Sequence, residues 1–370
     1  MKSRLYATTT PIALAALSLL PNIVPDSAAQ SLEWEAYDPP SSLVVPEHIV
    51  TRARFPFIDV HSHQWQMDSQ NLTQLATEMD AMNMAIMVNL SGRGGSRLKA
   101  MTDNVAQHYP NRFVVFTNLD FNNVDQADWK VRTLAQLQTD FENGAKGLKI
   151  FKGLGMSNTD TKGNRIAVDD PRLGPVWDKC GELGIPVLIH SADPKQFWLP
   201  QDEQNERWLE LKTHPRRKRS DTDPAPWAQI MSEQHRMFKA HPKTQFIAAH
   251  MGWHANDLDK LGQLLDEIPN MHVGIAAVIA ELGRQPRAAN RFFEKYQDRV
   301  LFGKDAYHPQ EFHTYFRVLE TDDEYFPYYK RYHAFWRMYG LDLPDEILKK
   351  LYYQNALNLI PGLDASLFPE

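Results

Sequence analysis

The sequence predicts an α/β protein built as a closed (β/α)8 TIM barrel, and three observations carry that prediction. Eight short apolar runs recur at 57–63, 85–90, 113–118, 146–151, 185–190, 245–250, 271–277 and 300–304. Amphipathic helical patterns separate them at 70–83, 97–108, 128–143, 171–183, 227–240, 255–267 and 287–297. The strand runs are nearly continuous in apolar residues, as expected when both faces of a parallel sheet are buried. Strands alternating with helices imply βαβ units, and eight units over roughly 250 residues is the count for a closed barrel. A doubly wound open sheet has no need of eight repeats, and the chain carries no glycine fingerprint for one.

The first run, "FIDVHSHQ" at 57–64, raises the functional question. Strand side chains alternate, so Asp59, His61 and His63 share one face. Such a strand end is either a polar edge reaching water or half of a metal site. The second reading requires further ligands at the ends of other strands, because a barrel collects its functional groups at the C-terminal ends of its strands. Strand 5 ends in His190 and strand 6 in His250, strand 4 carries Lys149, and strand 8 runs into Asp305. In a closed barrel strand 8 neighbours strand 1, which brings Asp305 towards His61 and His63. The chain has 14 histidines, so one at a strand end carries little weight. Four at three strand ends, with an aspartate closing the ring, match one chemistry at one barrel mouth.

Imidazole and carboxylate ligands suit Zn²⁺ or a similar divalent ion with a position left open for water. Such an ion lowers the pKa of its water to about 7, and a neighbouring carboxylate can carry the proton to a leaving group. Asp305 has the chemistry for that base. His250 is either a ligand or a residue that steers substrate charge. Lys149 is a structural cation, a clamp for a substrate anion, or a carbamylated ligand bridging a second metal. Asp59 reads as a supporting residue behind the ligands. The glycine-rich "SGRGGS" at 91–96 reads as a flexible loop, with an anion cradle the lesser reading. There is no G-x-S-x-G elbow, Walker A pattern or H-E-x-x-H helix, and Cys180, the single cysteine, reads as packed on a helix.

Composition bounds the rest. With 43% hydrophobic and 23% charged residues the chain is an ordinary globular protein. Its net charge of −6 gives no reason to expect nucleic acid, and the one dense basic cluster, "HPRRKRS" at 214–220, reads as a solvated loop. Residues 1–29 read as a signal peptide: Lys2 and Arg4, the apolar "PIALAALSLLP", then Ser27-Ala28-Ala29 before Gln30. The expectation is an exported, periplasmic or secreted protein, with no stable membrane insertion of the mature chain. Residues 30–55 read as an N-terminal arm and 56–370 as the barrel domain. The 191–226 segment is long, and Trp198, Trp208 and Trp227 argue for a packed lid. The chain beyond strand 8 reads as helical and aromatic.

The set "DVHSH" (59–63), "VLIHSADP" (187–194), "FIAAHMG" (246–252) and "LFGKDAY" (301–307) resembles the amidohydrolase superfamily, in its amidohydrolase-related family 2 branch. The resemblance spans residues 55 to 360 and implies a metal-dependent barrel. It implies His61, His63, His190 and Asp305 as metal ligands, Asp305 also as base, and His250 as a ligand or catalytic residue. One departure is Lys304, which stands where a small residue commonly precedes the aspartate and is expected to alter the local charge. The branch holds hydrolases of C–N and C–O bonds, lactonases among them, and non-oxidative decarboxylases. The expected function is therefore a metal-dependent hydrolase of a small-molecule amide, ester or lactone, with Lys149 and His250 binding substrate. A decarboxylase is the alternative, and a non-catalytic ligand-binding barrel is a third, disfavoured because a binding module needs no base at Asp305. A homo-oligomer is compatible with all three.

Overall fold

The structure is a computed structural model that describes residues 33, 37–333 and 336–369. The signal-peptide expectation lies outside the described residues. Two compact units divide the chain at Ser41/Ser42. The described part of the first, residues 33 and 37–41, has no regular secondary structure.

The second unit is the barrel. Its strands are β1 (Phe57–Ser62), β2 (Met84–Asn89), β3 (Phe113–Val115), β4 (Leu148–Ile150), β5 (Val187–Ile189), β6 (Phe246–Ala248), β7 (Met271–Gly274) and β8 (Val300–Leu301). All neighbouring pairs within the runs β1-β2-β3 and β4-β5-β6-β7-β8 are parallel. Single parallel bridges, Thr117 to Leu148 and Ser62 to Asp305, join the two runs at both seams. The seam bonds are Lys149 N to Thr117 O at 2.9 Å, Val60 N to Phe302 O at 3.1 Å and Asp305 N to His61 O at 2.7 Å. The ring of eight is thus closed, and the last bond ties the predicted base directly to a predicted ligand's backbone.

Between the strands run α1 (Leu72–Met82), α2 (Ser96–His108), α3 (Trp129–Glu142), α4 (Gly174–Leu183), α5 (Trp208–Thr213), α6 (Trp227–Ala240), α7 (Leu258–Glu267), α8 (Ile279–Gly283), α9 (Pro286–Tyr296) and α10 (Pro309–Glu320). Each long helix buries an apolar stripe; in α7 it is Leu258, Leu261, Leu264 and Leu265. Below the mouth, Phe57 of β1 meets Phe302 after β8 edge to face at 4.9 Å, with Phe316 at 5.4 Å and Tyr352 at 5.9 Å. This aromatic plug fills the seam where the barrel closes. Part of the predicted arm packs on the barrel: His48 donates its backbone N–H to Asp323 at 2.8 Å, and Arg54 reaches Asp345 at 2.8 Å.

Two expectations need correction. The chain after β8 is not helical throughout. Beyond α10 it forms a short antiparallel pair, β9 (Phe326–Pro327) with β10 (Arg337–Met338), before α11 (Asp345–Lys349) and α12 (Asn355–Leu359). Aromatic clusters such as "YFPYYKRYHAFW" obey no 3.6-residue stripe, and proline at 327 favours an edge. Most strands are also shorter than their apolar runs, and His63, His190 and His250 stand just beyond the ends of β1, β5 and β6 rather than within the ladder. No helix among the described residues is long and apolar enough to cross a membrane.

Candidate metal centre

The strand ends converge. His61 Nε2 and His63 Nε2 lie 3.6 and 3.5 Å from Asp305 Oδ1. The His61 and His250 rings are 5.1 Å apart, and the His250 and His190 rings 4.4 Å. His61, His63, His190, His250 and Asp305, all anticipated from sequence, occupy one spot. His61 projects from β1 itself, while His190 follows β5 by one residue.

His250 departs from its expected strand end. Residues 250–253 form a left-handed turn, with φ of 57° at His250, 52° at Met251, 57° at Gly252 and 56° at Trp253. Left-handed backbone costs a non-glycine residue about 1–2 kcal/mol, so the turn persists only because its surroundings hold it. The visible clamps are His250 Nδ1 to Ala276 O at 2.7 Å and the stacking of Trp253 on the His250 ring at 4.5 Å. Asp305 is likewise left-handed, with φ 87°. Strained backbone thus carries two of the five groups.

The ring positions are fixed from behind. Asp59 Oδ1 accepts the backbone N–H of His61 at 2.9 Å and of Lys304 at 3.2 Å, tying β1 to the end of β8. Burial pushes its carboxyl up to about 7. Ser91, which the sequence reading missed, places its hydroxyl 2.7 Å from His63 Nδ1. It stands two residues beyond β2 in "NLSG", and its position near a strand end is the only signal that would have found it.

Electrostatically the imidazoles are held neutral. Burial first, then the nearby charge of Lys149, pushes His63 down to about 4 and lowers His61 well below its ordinary value. Burial also pushes His250 down to about 4 and lowers His190 well below the usual range. Neutral imidazole offers a lone pair, which is what a metal needs. Both ring nitrogens of His61, and Nε2 of His190, are buried without a hydrogen-bond partner among the described residues. An orphaned buried nitrogen costs about 1–3 kcal/mol, and a cation among these groups would remove that cost. By distance alone the trio at this site is His61, His250 and Asp305, with ligand atoms all within 4.8 Å of one another. The donor set therefore fits a divalent ion.

Lys149 is fully buried in β4, with no hydrogen-bond partner for Nζ among the described residues, and Nζ lies 5.6 Å from the Phe151 ring. Burial pushes its ammonium down to about 7. Lys304, expected to change the charge beside Asp305, does not: its side chain turns away to pair with Glu311 and bond Ala306 O. The "SGRGGS" stretch is neither a flexible loop nor an anion cradle. Arg93 N and Gly95 N donate to Asn118 Oδ1 and Asp140 Oδ1, both at 2.8 Å, and a Cβ on Gly92 would strike the Phe116 carbonyl at 2.1 Å. Cys180 is buried, which raises its thiol pKa and keeps it inert.

Over the mouth lies a cavity of ≈ 180 Å³, whose lining includes His190, His250, Trp253 and Asp305 on the floor. Its roof comes from two segments far apart in sequence. One is the 191–226 loop, which is packed as expected: Trp198 Nε1 donates to Ala225 O at 2.8 Å and Trp227 Nε1 to Asp193 O at 3.0 Å. The other carries Lys330, Tyr332 and His333. The basic run at 214–220 is not simply solvated. Arg217 pairs with buried Glu210, and Arg219 reaches buried Asp193 at 2.8 Å. Sequence reading missed Arg207, Glu210, Arg217, Lys330 and His333, since no local pattern links them.

The fold and site together define a class, a parallel TIM barrel with a histidine–aspartate cluster at the C-terminal ends of its strands. Comparison gives the family. The amidohydrolase family 2 model, described as amidohydrolase, matches residues 58–361, and the chain belongs to that family. Among solved structures it resembles an uncharacterised TIM-barrel protein of Bordetella bronchiseptica, at TM-score 0.51 and 15% identity over 82% of this chain and 97% of that one. It also resembles a 2,6-dihydroxybenzoate decarboxylase solved with 2,6-dihydroxybenzoate, at TM-score 0.51 and 15% identity over 82% and 98%. At that identity the likeness concerns the fold. No curated protein matches the sequence.

Proposed function

We propose that the protein is an exported metal-dependent hydrolase acting on a C–N or C–O bond of a small amide, ester or lactone. The observation that carries this reading is the meeting of His61, His63, His190 and Asp305 around ring nitrogens that are buried and unpartnered. These four residues would hold the ion, with Zn²⁺ the best match to an imidazole–carboxylate set. When bound, the ion supplies Lewis acidity and acidifies water.

The chain's own groups do the rest. Asp305 lines the cavity, so its carboxylate can accept the proton of the attacking water and return it to the leaving group. His250, braced on Ala276 and stacked by Trp253, orients the reacting group. Lys149 holds a substrate oxygen from the β4 side. The roof narrows the approach to the floor groups, and a site less open to water strengthens each of these interactions. A decarboxylase is the second reading, favoured by the Lys149 ammonium, which has no hydrogen-bond partner among the described residues and suits a substrate carboxylate beside the ion. Export rests on the Lys2/Arg4 n-region, the apolar core and the Ser27-Ala28-Ala29 cleavage pattern.

The test is metal analysis of the purified mature protein, joined to a screen of esters, lactones, amides and aromatic carboxylic acids. About one equivalent of divalent ion with turnover of an ester, lactone or amide is expected. Carbon dioxide release alone would move the assignment to the decarboxylase, and absence of stoichiometric metal would overturn both. Intact mass of envelope-fraction protein is expected to start at Gln30; retention of residues 1–29 would overturn export.

A further inference from the structure

The cavity has two chemically different ends. Its floor is the histidine–aspartate cluster, and its roof is cationic. Lys152, Arg207, Arg217 and Lys330 all line it. Three of them are spoken for. Lys152 pairs with Asp193 at 2.6 Å. Arg207 pairs with Glu210 at 2.7 Å and also with Glu281, and Arg217 shares Glu210. Lys330 is different: its ammonium makes no ion pair or hydrogen bond among the described residues, and its nearest ring is Tyr329 at 5.8 Å.

A second group reports the same imbalance. His333 lines the cavity and is 5% exposed, and its Nδ1 has no hydrogen-bond partner among the described residues. Its Nε2 stands 3.7 Å from Glu210. Although that carboxylate favours a protonated ring, His333 is pushed down to about 2, by burial first and then by Arg207, Lys330, Arg284 and Arg217. The nearby cations add to burial in disfavouring a proton on this ring. A low-dielectric wall with unbalanced positive charge is costly when empty, and an anion entering it gains what the wall has already lost.

We propose that the roof is an anion subsite, in which Lys330, backed by Arg217, holds a carboxylate of the substrate remote from the bond that reacts over His190, His250 and Asp305. This deepens the hydrolase reading and rests on its placement of the reacting end. One unpaired ammonium matches one singly charged group, and in a small acid that group is a carboxylate. The substrate class is then a small acid carrying its ester, lactone or amide at the opposite end. The two segments that build the roof thereby select substrate, while the strand ends carry the chemistry.

The test uses the full-length, metal-loaded protein and a binding readout independent of turnover. The probes are the dicarboxylates from succinate to adipate, each compared by calorimetry with the alkanoate of the same chain length, butanoate to hexanoate, none of which carries a bond to hydrolyse. A monocarboxylate can occupy only one end of the cavity at a time, so the difference reports the second contact. At least one dicarboxylate is expected to bind roughly tenfold tighter than its alkanoate, and more weakly as salt is raised. Lys330→Met should abolish the difference and Lys330→Arg should retain most of it. The melting temperature should change little in either variant, because Lys330 has no partner to lose among the described residues. If no dicarboxylate in the series is preferred over its alkanoate, or if Lys330→Met keeps the preference, the proposal is wrong. A preference that survives in a protein turning over nothing in the substrate screen would overturn the hydrolase reading and leave the subsite standing.

Discussion

His190 Nδ1 lies 3.2 Å from His250 Nε2, and His250 Nδ1 lies 2.7 Å from the carbonyl oxygen of Ala276. A carbonyl only accepts, so His250 carries its proton on Nδ1. Held neutral by burial, it then has a bare Nε2, which accepts the Nδ1–H of His190. His190 is left with a bare, buried and unpartnered Nε2. The relay therefore favours His190 as ligand and His250 as its neighbour, against the distance-based trio of His61, His250 and Asp305. Metal stoichiometry separates the two. His190→Ala is expected to lose the ion, whereas His250→Gln should keep most of it while losing turnover.

The paired histidines of β1 give a second expectation. A His61→Ala/His63→Ala double variant should fold, since both changes remove side chains at the mouth and leave the aromatic plug intact. It should hold no stoichiometric metal by elemental analysis. Full metal retention would remove the proposed centre.

Asp305→Asn keeps the shape and one oxygen donor but loses the proton acceptor. If Asp305 is the base, kcat should fall by about 10²–10⁴-fold at matched metal occupancy. A loss below roughly tenfold, about 1.4 kcal/mol in barrier, would move the base to another group, with His250 tested next.

Ser91 is expected to act on the metal only through His63. Its hydroxyl, 2.7 Å from Nδ1, fixes the ring so that Nε2 faces Asp305. Removing such an orienting partner typically costs about 10–100-fold in metal affinity. Ser91→Ala should show that loss in a chelator competition, with Ser91→Thr recovering part of it. An unchanged affinity would make the contact incidental.

Asp323 gives a pH expectation away from the site. Burial alone would raise its carboxyl, but bonds from His48 and from Arg317 at 2.6 Å outweigh this and hold it below 3.8. A carboxylate with a lowered folded pKa adds stability above its unfolded value and loses it as pH falls through the folded one. Asp323→Asn should therefore lower the melting temperature near neutral pH. The gap to wild type should narrow steadily below about pH 4, and a gap independent of pH would contradict the ion-pair account.

What the sequence determined by itself follows from short-range periodicity. Alternation along β1 puts Asp59, His61 and His63 on one face whatever the rest of the chain does, and eight apolar runs separated by helical stripes admit few parallel arrangements. Closure then places Asp305 beside β1, because strand 8 has no other free neighbour. The family motifs, which stand at these same strand ends, were legible for that reason. Tertiary structure decided what depends on contacts between distant segments. It set His250 in a left-handed turn, at a conformational cost that Trp253 within the turn and Ala276 from a distant strand end offset together. It turned Lys304 away to Glu311 and used the amides of the glycine-rich stretch internally. It also brought Arg207, Arg217, Lys330 and His333 to one roof, from positions up to 126 residues apart in the numbering. No periodicity encodes that meeting, since charged residues on irregular segments acquire their partners only when the barrel beneath fixes where those segments cross.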